Sequence, residues 1–182
     1  MILKKLDDRR YRIGPCRISF PHVFEPDNTE MGGGKYSVTL LIDKDDKDAL
    51  ALIEDGINNA KEYGKSSKWG GKIPKVLREP LRDGDLSERE EEAGHWVLRT
   101  SSTRRPLVLD QRRQEIFDQG EIYGGCYCSA IVTFAPYSMR SNGVGCYFDA
   151  IQKLKDGEAF GGGARTSVDD FDDFEDEDGM LD

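Results

Sequence analysis

The chain has 182 residues, of which 37% are hydrophobic and 34% are charged, and its formal net charge is −9. This length is sufficient for one domain with a buried core. No apolar run approaches the roughly 20 residues that cross a bilayer, and the N-terminal stretch MILKKLDDRRYRIG lacks the apolar centre of a signal peptide. We therefore expect a cytosolic protein.

Two strands are predicted near the N-terminus. Residues 11–20 carry apolar side chains and are interrupted by Gly14-Pro15. Residues 35–43 are rich in β-branched and aliphatic side chains and are bounded by glycines and charges. We assign the intervening residues 21–34 to a loop.

An amphipathic helix is predicted after the second strand. Asp45 or Asp46 can cap its start, and Gly64 is expected to end it just after residue 63. Apolar residues at spacings of three and four form one stripe, which consists of Leu50, Ile53, Ile57 and Ala60. This stripe should face the core.

The most basic stretch, residues 65–82, is followed at once by an acidic stretch, residues 83–94. Cations recur every three or four positions in the basic stretch, but a glycine pair and Pro74 oppose a continuous helix. We predict an extended basic loop that carries Trp69, and then a solvated acidic loop or short helix.

Four further strands are predicted in the second half of the chain, over residues 95–101, 106–109, 121–137 and 144–154. A glycine pair near the start of the long third segment is typical of a bend or barrel corner, and Ser141-Asn142-Gly143 is a hairpin signal. The chain is thus mostly β, with about five principal strands and one helix inserted between the second and third. This pattern favours a small closed or partly closed antiparallel barrel, with a sandwich of the same strands as the alternative.

The four cysteines do not have the spacing of a metal site. Cys126 and Cys128 are separated by one residue, whereas zinc knuckles have two to four between ligands. We interpret them, with Cys16 and Cys146, as small buried hydrophobic residues. We expect no metal and no cofactor.

Enzyme signals are weak. The sequence lacks the phosphate-loop, HExxH and GxSxG motifs, so we expect a protein that is not an enzyme. Three acidic residues, Asp43, Asp110 and Asp149, each end or interrupt a predicted strand. Their convergence would support a divalent-metal nuclease, which is kept as an alternative.

Cations interleaved with aromatic residues indicate binding to single-stranded nucleic acid, because cations follow phosphates and rings stack on bases. The candidates for phosphate contact are Lys65, Lys68, Lys72, Lys75, Arg99, Arg104, Arg105 and Arg140. The candidates for stacking are Trp69, Tyr123, Tyr127, Tyr137 and Tyr147. Trp69 is the strongest of these, since its Gly, Lys and Ser neighbours disfavour burial, whereas Tyr123 and Tyr127 could equally pack on the barrel.

The last seventeen residues, 166–182, contain nine acidic residues and no Lys or Arg. Without them the chain has 26 acidic and 26 basic residues, so the net charge belongs to this tail. Mutual repulsion and few apolar residues predict a disordered tail on a glycine joint, which divides the chain into a domain, 1–160, and an appendage, 161–182. The tail is either a solubilising terminus or a nucleic-acid mimic with partner-binding residues, for which we assign Phe171, Phe174, Asp176, Glu177 and Leu181.

The C-terminal half resembles a family of single-stranded-DNA-binding proteins of tailed bacteriophages. The resemblance is carried by PLVLD (106–110), EIYGGC (121–126), FAPY (134–137), NGVG (142–145) and IQKLKDGE (151–158). It extends more weakly to residues 11–43, and the acidic stretch 83–94 has no counterpart.

This resemblance implies a five-stranded oligonucleotide-binding (OB) barrel that binds single-stranded DNA without sequence preference in the cytoplasm of an infected bacterial host. It also implies that the acidic tail engages replication or recombination proteins, and it is compatible with a homo-oligomer. A rival hypothesis from another class is a protein-interaction module whose tail mimics DNA, while its body never touches DNA.

Overall fold

The computed structural model describes residues 3–161. These residues form one α-helix, α1 (Lys47–Ser67), three 3₁₀ turns (Gly84–Leu86, Glu90–Glu92 and Gln119–Glu121) and eight strands. The strands are β1 (Lys4–Lys5), β2 (Arg10–Asp27), β3 (Lys35–Asp43), β4 (Leu81–Asp83), β5 (His95–Ser102), β6 (Leu107–Leu109), β7 (Tyr127–Ser138) and β8 (Asn142–Lys155).

Five strands close into a barrel in the order β5-β3-β2-β7-β8, and a parallel contact between Ser101 and Tyr147 joins β8 back to β5. The short strands β1, β4 and β6 extend the sheet at β2, β5 and β8. The predicted five-stranded barrel, with one helix between its second and third strands, is therefore confirmed, and the sandwich is not what forms.

The core fills the barrel and continues under α1. Side chains alternate along the strands, so that Leu40 and Leu98, which are paired, both point inward and are fully buried. Of the predicted helical stripe, Ile53, Ile57 and Ala60 are buried in this core, whereas Leu50 is only half-buried and Ala49 is buried in its place. Asp46 caps the helix by accepting a hydrogen bond from Ala49 N at 3.0 Å. Close approach of α1 to β7 depends on Gly56, where a Cβ atom would lie 2.3 Å from the Phe134 ring.

Two predicted boundaries near the N-terminus were wrong. Strand β2 continues to Asp27 because irregular pairing with β3 resumes at His22 opposite Ser37, on the far side of Pro21. Helix α1 continues through Gly64 to Ser67. This glycine serves close packing instead of termination, since a Cβ atom on it would lie 2.5 Å from the Trp69 ring.

The segment predicted as the start of the long strand is also different. Strand β7 begins at Tyr127, and the preceding residues form a 3₁₀ turn (Gln119–Glu121) and an irregular stretch. Gly125 adopts φ +114 and donates its N–H to Ile18 O at 2.8 Å. The glycine pair therefore marks a turn into the strand and not a bend within it.

The acidic excursion 83–94 is compact. Its two 3₁₀ turns pack against β5, and Lys44 Nζ holds both Asp83 and Asp85 at 2.5 Å. Glu92 is only 4% exposed, so one carboxylate of a stretch that was predicted to be solvated is buried.

The four cysteines are free and buried, as predicted for small hydrophobic residues. Residues 3–161 contain no group of three His, Cys, Asp or Glu side chains that could hold a metal ion. In that same range, no helix has the length and apolar character needed to traverse a bilayer.

Candidate nucleic-acid interface

The outer surface of β3, β5 and β8, with the end of β7 that pairs with β8, forms a continuous face, which we call the outer face. Because Leu40 and Leu98 point inward, their neighbours Thr39 and Arg99, which are also paired, point outward. One row of aligned residues crosses this face from strand to strand and consists of Ser37, Ser101 and Tyr147; it continues onto β2 at His22. The closure of the barrel therefore brings a tyrosine of β8 beside the polar surface of β5.

Two tyrosines lie across glycines of β8. A Cβ atom on Gly145 would lie 2.5 Å from the Tyr147 hydroxyl oxygen, and one on Gly143 would lie 2.5 Å from that of Tyr137. Burial raises the pKa of Tyr147, and the neighbouring Tyr137 raises it further. Tyr147 is still 39% exposed. The two rings thus form a supported aromatic platform, with ring surface accessible to solvent.

The basic loop 68–80 runs beside this platform. Arg78 N donates to Asn142 O at 3.0 Å, and Val144 N donates back to Arg78 O at 2.9 Å, so the loop is attached to the β7–β8 hairpin. Three lysines of the loop, Lys68, Lys72 and Lys75, are exposed. Arg140, at the tip of the hairpin, is exposed as well.

Trp69 is placed differently from the expectation that it would avoid burial. Its ring packs on the hydrophobic core above Gly64, and its Nε1–H donates to Tyr137 O at 3.2 Å. The tryptophan therefore attaches the basic loop to the strand that carries Tyr137. A contact between Trp69 and DNA remains a prediction.

An arginine cluster lies where the basic loop ends, since Arg99 N donates to Pro80 O at 3.2 Å. Burial is the main factor that lowers the pKa of Arg99, the charges of Arg82 and Arg89 lower it further, and Glu92 opposes them. Arg89 also forms an ion pair with Glu92 at 3.7 Å, so three guanidinium groups share this part of the surface with one carboxylate. This arrangement favours an additional anion such as a phosphate.

Phe20 was not among the sequence candidates. Its ring is 49% exposed, and the guanidinium of Arg89 lies 4.5 Å from the ring centroid. Its φ of 46° is in the left-handed region, which a residue of this size rarely adopts. The one sequence signal for this conformation is the following Pro21, which disfavours helical backbone at residue 20. Arg82 and Arg89 were not among the sequence candidates either.

A cleft of about 250 Å³ lies where β5 meets β8. It is lined by Tyr147, Arg104, Lys35 and Ser101, among others. Arg104 is therefore adjacent to the platform, and Arg105 is exposed next to it in sequence.

Tyr123, Tyr127 and Lys65 are not brought to the platform. The Tyr123 hydroxyl bonds to Asp156 Oδ1 at 3.0 Å, while Tyr127 contacts Arg17 and Lys155. Tyr127 precedes Tyr137 by ten residues on β7, which is a separation of roughly 33 Å in a strand. Lys65 forms an ion pair with Glu62 at 2.9 Å on α1.

The three carboxylates of the nuclease alternative are not brought together. Asp43 accepts from Asp45 N, Asp110 accepts from Arg112 N, and Asp149 lies 3.9 Å from Arg10. The partner-binding candidates Phe171, Phe174, Asp176, Glu177 and Leu181 lie outside the described residues.

Similarity to known proteins extends over nearly the whole chain. Protein p50 of Acyrthosiphon pisum secondary endosymbiont phage 1 is 35% identical over 175 residues, which are 90% of this chain and 93% of that protein. The solved structure of the single-stranded-DNA-binding protein from bacteriophage Enc34 in complex with single-stranded DNA has 30% identity and a TM-score of 0.74, with coverage of 87% of this chain and 96% of that chain.

The single-stranded-DNA-binding protein gp2.5 of bacteriophage T7 is 14% identical with a TM-score of 0.63, over 91% of this chain and 96% of that chain. At this identity the likeness shows the shared fold alone. The family model described as the single-stranded-DNA-binding protein of Enterobacter phage Enc34 matches residues 10–181. The chain therefore belongs to the Enc34 family of phage single-stranded-DNA-binding proteins.

Proposed function

We propose that this chain binds single-stranded DNA along the outer face, without sequence preference, and coats it during phage replication or recombination. The observation that carries the proposal is the pair Tyr137 and Tyr147, held over Gly143 and Gly145 with ring surface exposed and with cations of the basic loop and Arg104 nearby. The Enc34 protein, 30% identical, was solved with single-stranded DNA, which supports the same ligand class here.

Recognition combines stacking with phosphate neutralisation. Tyr137 and Tyr147 stack on bases, which contributes about 1–3 kcal/mol per base and accepts any base because each has a π-face. Arg82, Arg89 and Arg99, together with the cations of loop 68–80 and Arg104, neutralise phosphates along the outer face. Because rings and charges do not read base edges, binding is independent of sequence.

The acidic tail 166–182 competes for this face. At the end of a short joint, its effective concentration against a site on the same chain is on the order of millimolar. Single-stranded DNA displaces it, and the released tail recruits replication or recombination proteins through Phe171, Phe174, Asp176, Glu177 and Leu181. Duplex DNA, whose bases cannot stack on the tyrosines, displaces the tail less well. The place of action is the cytoplasm of the infected bacterial host.

The experiment is a fluorescence-anisotropy titration of labelled oligo-dT with the full chain, Tyr147→Ala and Tyr63→Ala. Tyr63 is a matched control, because it is an exposed tyrosine on α1 with a nearby cation, Arg9. We expect Tyr147→Ala to weaken binding by roughly 5- to 150-fold, the equivalent of one stacked base, and Tyr63→Ala to change it less than twofold. Absence of binding by the unaltered chain would favour the protein-interaction module instead.

A further inference from the structure

A second cleft lies on the outer surface of β2, β7, β8 and β6, and we call it the β6 cleft. It has a volume of about 320 Å³. Strand register places one row of residues across this surface, namely Arg12, Ile131, Ala150 and Leu107. Leu109 lines the cleft beside them, so much of its floor is apolar.

The rim of the β6 cleft is cationic. Arg12 and Arg113 both line it, and Arg12 donates to the neutral amide oxygen of Gln152 at 2.8 Å. Among residues 3–161, no carboxylate oxygen lies within 4.0 Å of either guanidinium. An apolar floor between two such arginines is complementary to a peptide that carries an aromatic side chain with carboxylates around it.

The chain contains such a peptide. Residues 169–178 read DDFDDFEDED, with Phe171 and Phe174 three positions apart and flanked by acidic residues. We infer that the tail of the same chain docks in the β6 cleft, with Phe171 or Phe174 on the apolar floor and neighbouring carboxylates against Arg12 and Arg113.

The tail can reach this cleft without stretching. The Arg17 guanidinium lies 4.1 Å from the Phe160 ring and 5.7 Å from the Tyr127 ring, so the described chain ends beside the start of β7. Ile131 is four residues further along that strand, which is about 13 Å. The nine residues 162–170 have an r.m.s. span of roughly 15–18 Å as a flexible coil.

The same strand leads from the β6 cleft to the outer face. Thr133 follows Ile131 on the same side of β7 and is paired with Tyr147, which is in turn paired with Ser101. A phenylalanine docked in the β6 cleft would therefore place Tyr147 and Arg104 within reach of residues 175–182. Competition between this acidic end and DNA for the outer face rests on the proposed function. Docking of a phenylalanine in the β6 cleft does not.

The test is photo-crosslinking in the full chain with Phe171→p-benzoylphenylalanine, followed by mass-spectrometric mapping. We expect cross-links to peptides that contain Ile131, Ala150 or Leu109, formed within one chain when isotopically light and heavy chains are mixed. Cross-links confined to the outer face around Arg99, or cross-links mainly between light and heavy chains, would overturn the inference.

Two variants with matched controls sharpen this test. Ile131→Asp places a repelling charge on the floor and should reduce the cross-link at least fivefold, whereas Leu86→Asp, at an 86% exposed site, should not. If Ile131→Asp does not fold, Phe174→Ala, which leaves residues 3–161 unaltered, replaces it. It should shift or reduce cross-linking, whereas Leu181→Ala should not, and an equal effect of both tail variants would overturn docking through the phenylalanines.

The outcomes distinguish docking in the β6 cleft from gating, by which we mean competition between the tail and DNA for the outer face. Cross-links in the β6 cleft, together with an oligo-dT affinity that Phe171→Ala/Phe174→Ala leaves unchanged, would support the docking and contradict gating. A threefold or greater gain in affinity from that double variant, without any cross-link in the cleft, would overturn the docking and leave gating in place.

Discussion

The ring of Tyr147 lies over Gly145 of the same strand, so closely that a Cβ atom on Gly145 would meet the tyrosine hydroxyl oxygen at 2.5 Å. The ring of Tyr137 on β7 lies equally close over Gly143, its paired residue on β8. The glycines of the NGVG segment therefore provide the flat surface on which the proposed stacking platform rests. Their role is to allow close approach of a ring, which no side chain at these positions would permit.

Gly145→Ala should displace the Tyr147 ring and weaken oligo-dT binding by about fivefold or more, the equivalent of about 1 kcal/mol of stacking. The backbone of Gly145 does not require a positive φ, so the barrel should still fold. Gly124→Ala is the control, because its nearest non-neighbouring heavy atom would be 3.7 Å away. Anisotropy titrations measure both, and equal affinities would contradict the platform.

Arg82→Ala and Arg99→Ala should each reduce the salt dependence of binding. For a single strand, log K falls with log salt with a slope of about −0.7 per neutralised phosphate, so each substitution should make the slope shallower by about 0.7. Arg9→Ala is the control, since this guanidinium lies 4.5 Å from the Tyr63 ring of α1. Titrations at several salt concentrations give the slopes, and a slope near zero for the unaltered chain would contradict phosphate contact altogether.

Phe20 can be tested for both strain and binding. Its φ of 46 suits glycine, so Phe20→Gly should be more stable than Phe20→Ala by about 0.5–1 kcal/mol. Both should weaken oligo-dT binding to a similar extent, because each removes the ring against which Arg89, a proposed phosphate contact, is packed. The control is the exposed position Val76, where Val76→Ala should instead be more stable than Val76→Gly. Urea unfolding gives these differences, and a more stable Phe20→Ala would contradict the strain.

Removal of residues 166–182 should tighten oligo-dT binding and reduce discrimination against duplex DNA, because a competing polyanion is lost. A version in which the nine acidic residues are replaced by Asn and Gln should behave in the same way. Competition titrations with single-stranded and duplex oligonucleotides measure both effects. An unchanged affinity would leave the tail a role in partner binding alone.

Stability should fall in acid partly through Asp55. The hydrogen bond from the Tyr11 hydroxyl, at 2.6 Å, is the main cause that lowers the pKa of Asp55, and Lys5 lowers it further. A lowered folded-state pKa means that this stabilisation is present above the unfolded-state pKa and is lost as the pH falls below about 4.

Asp55→Asn should therefore cost about 0.5–1 kcal/mol at pH 7, a modest value because the carboxylate is partly exposed, and much less at pH 3. Glu54→Gln, at an exposed position of the same helix, should show no such pH dependence. Urea unfolding at both pH values measures the difference, and a constant cost would contradict the linkage.

Part of the site could be predicted from residue types alone. Tyr137, Tyr147, Arg99 and Arg104 were candidates because they are aromatic or cationic in a body of balanced charge, and the structure places them on one face or at its edge. Phe20 was missed because an apolar residue in an apolar strand is ordinarily assigned to the core. Its exposure results from an irregularity in β2, which depends on pairing with a distant strand.

Local patterns in the sequence determined β3 and the start of α1, because each depends on neighbours within a few residues. They also indicated a β7–β8 hairpin, but its turn lies at residues 139–141, and Asn142 and Gly143 already belong to β8. Only the tertiary structure decided that the barrel closes through Ser101 and Tyr147, that Trp69 packs on Gly64, and that Tyr127 and Tyr137 lie at opposite ends of one strand. These outcomes follow from long-range register and packing, in which a shift of one residue turns a side chain from the core to the surface. The charge of the tail could be read directly from the sequence, whereas the cationic faces that it could meet exist only once the strands are paired.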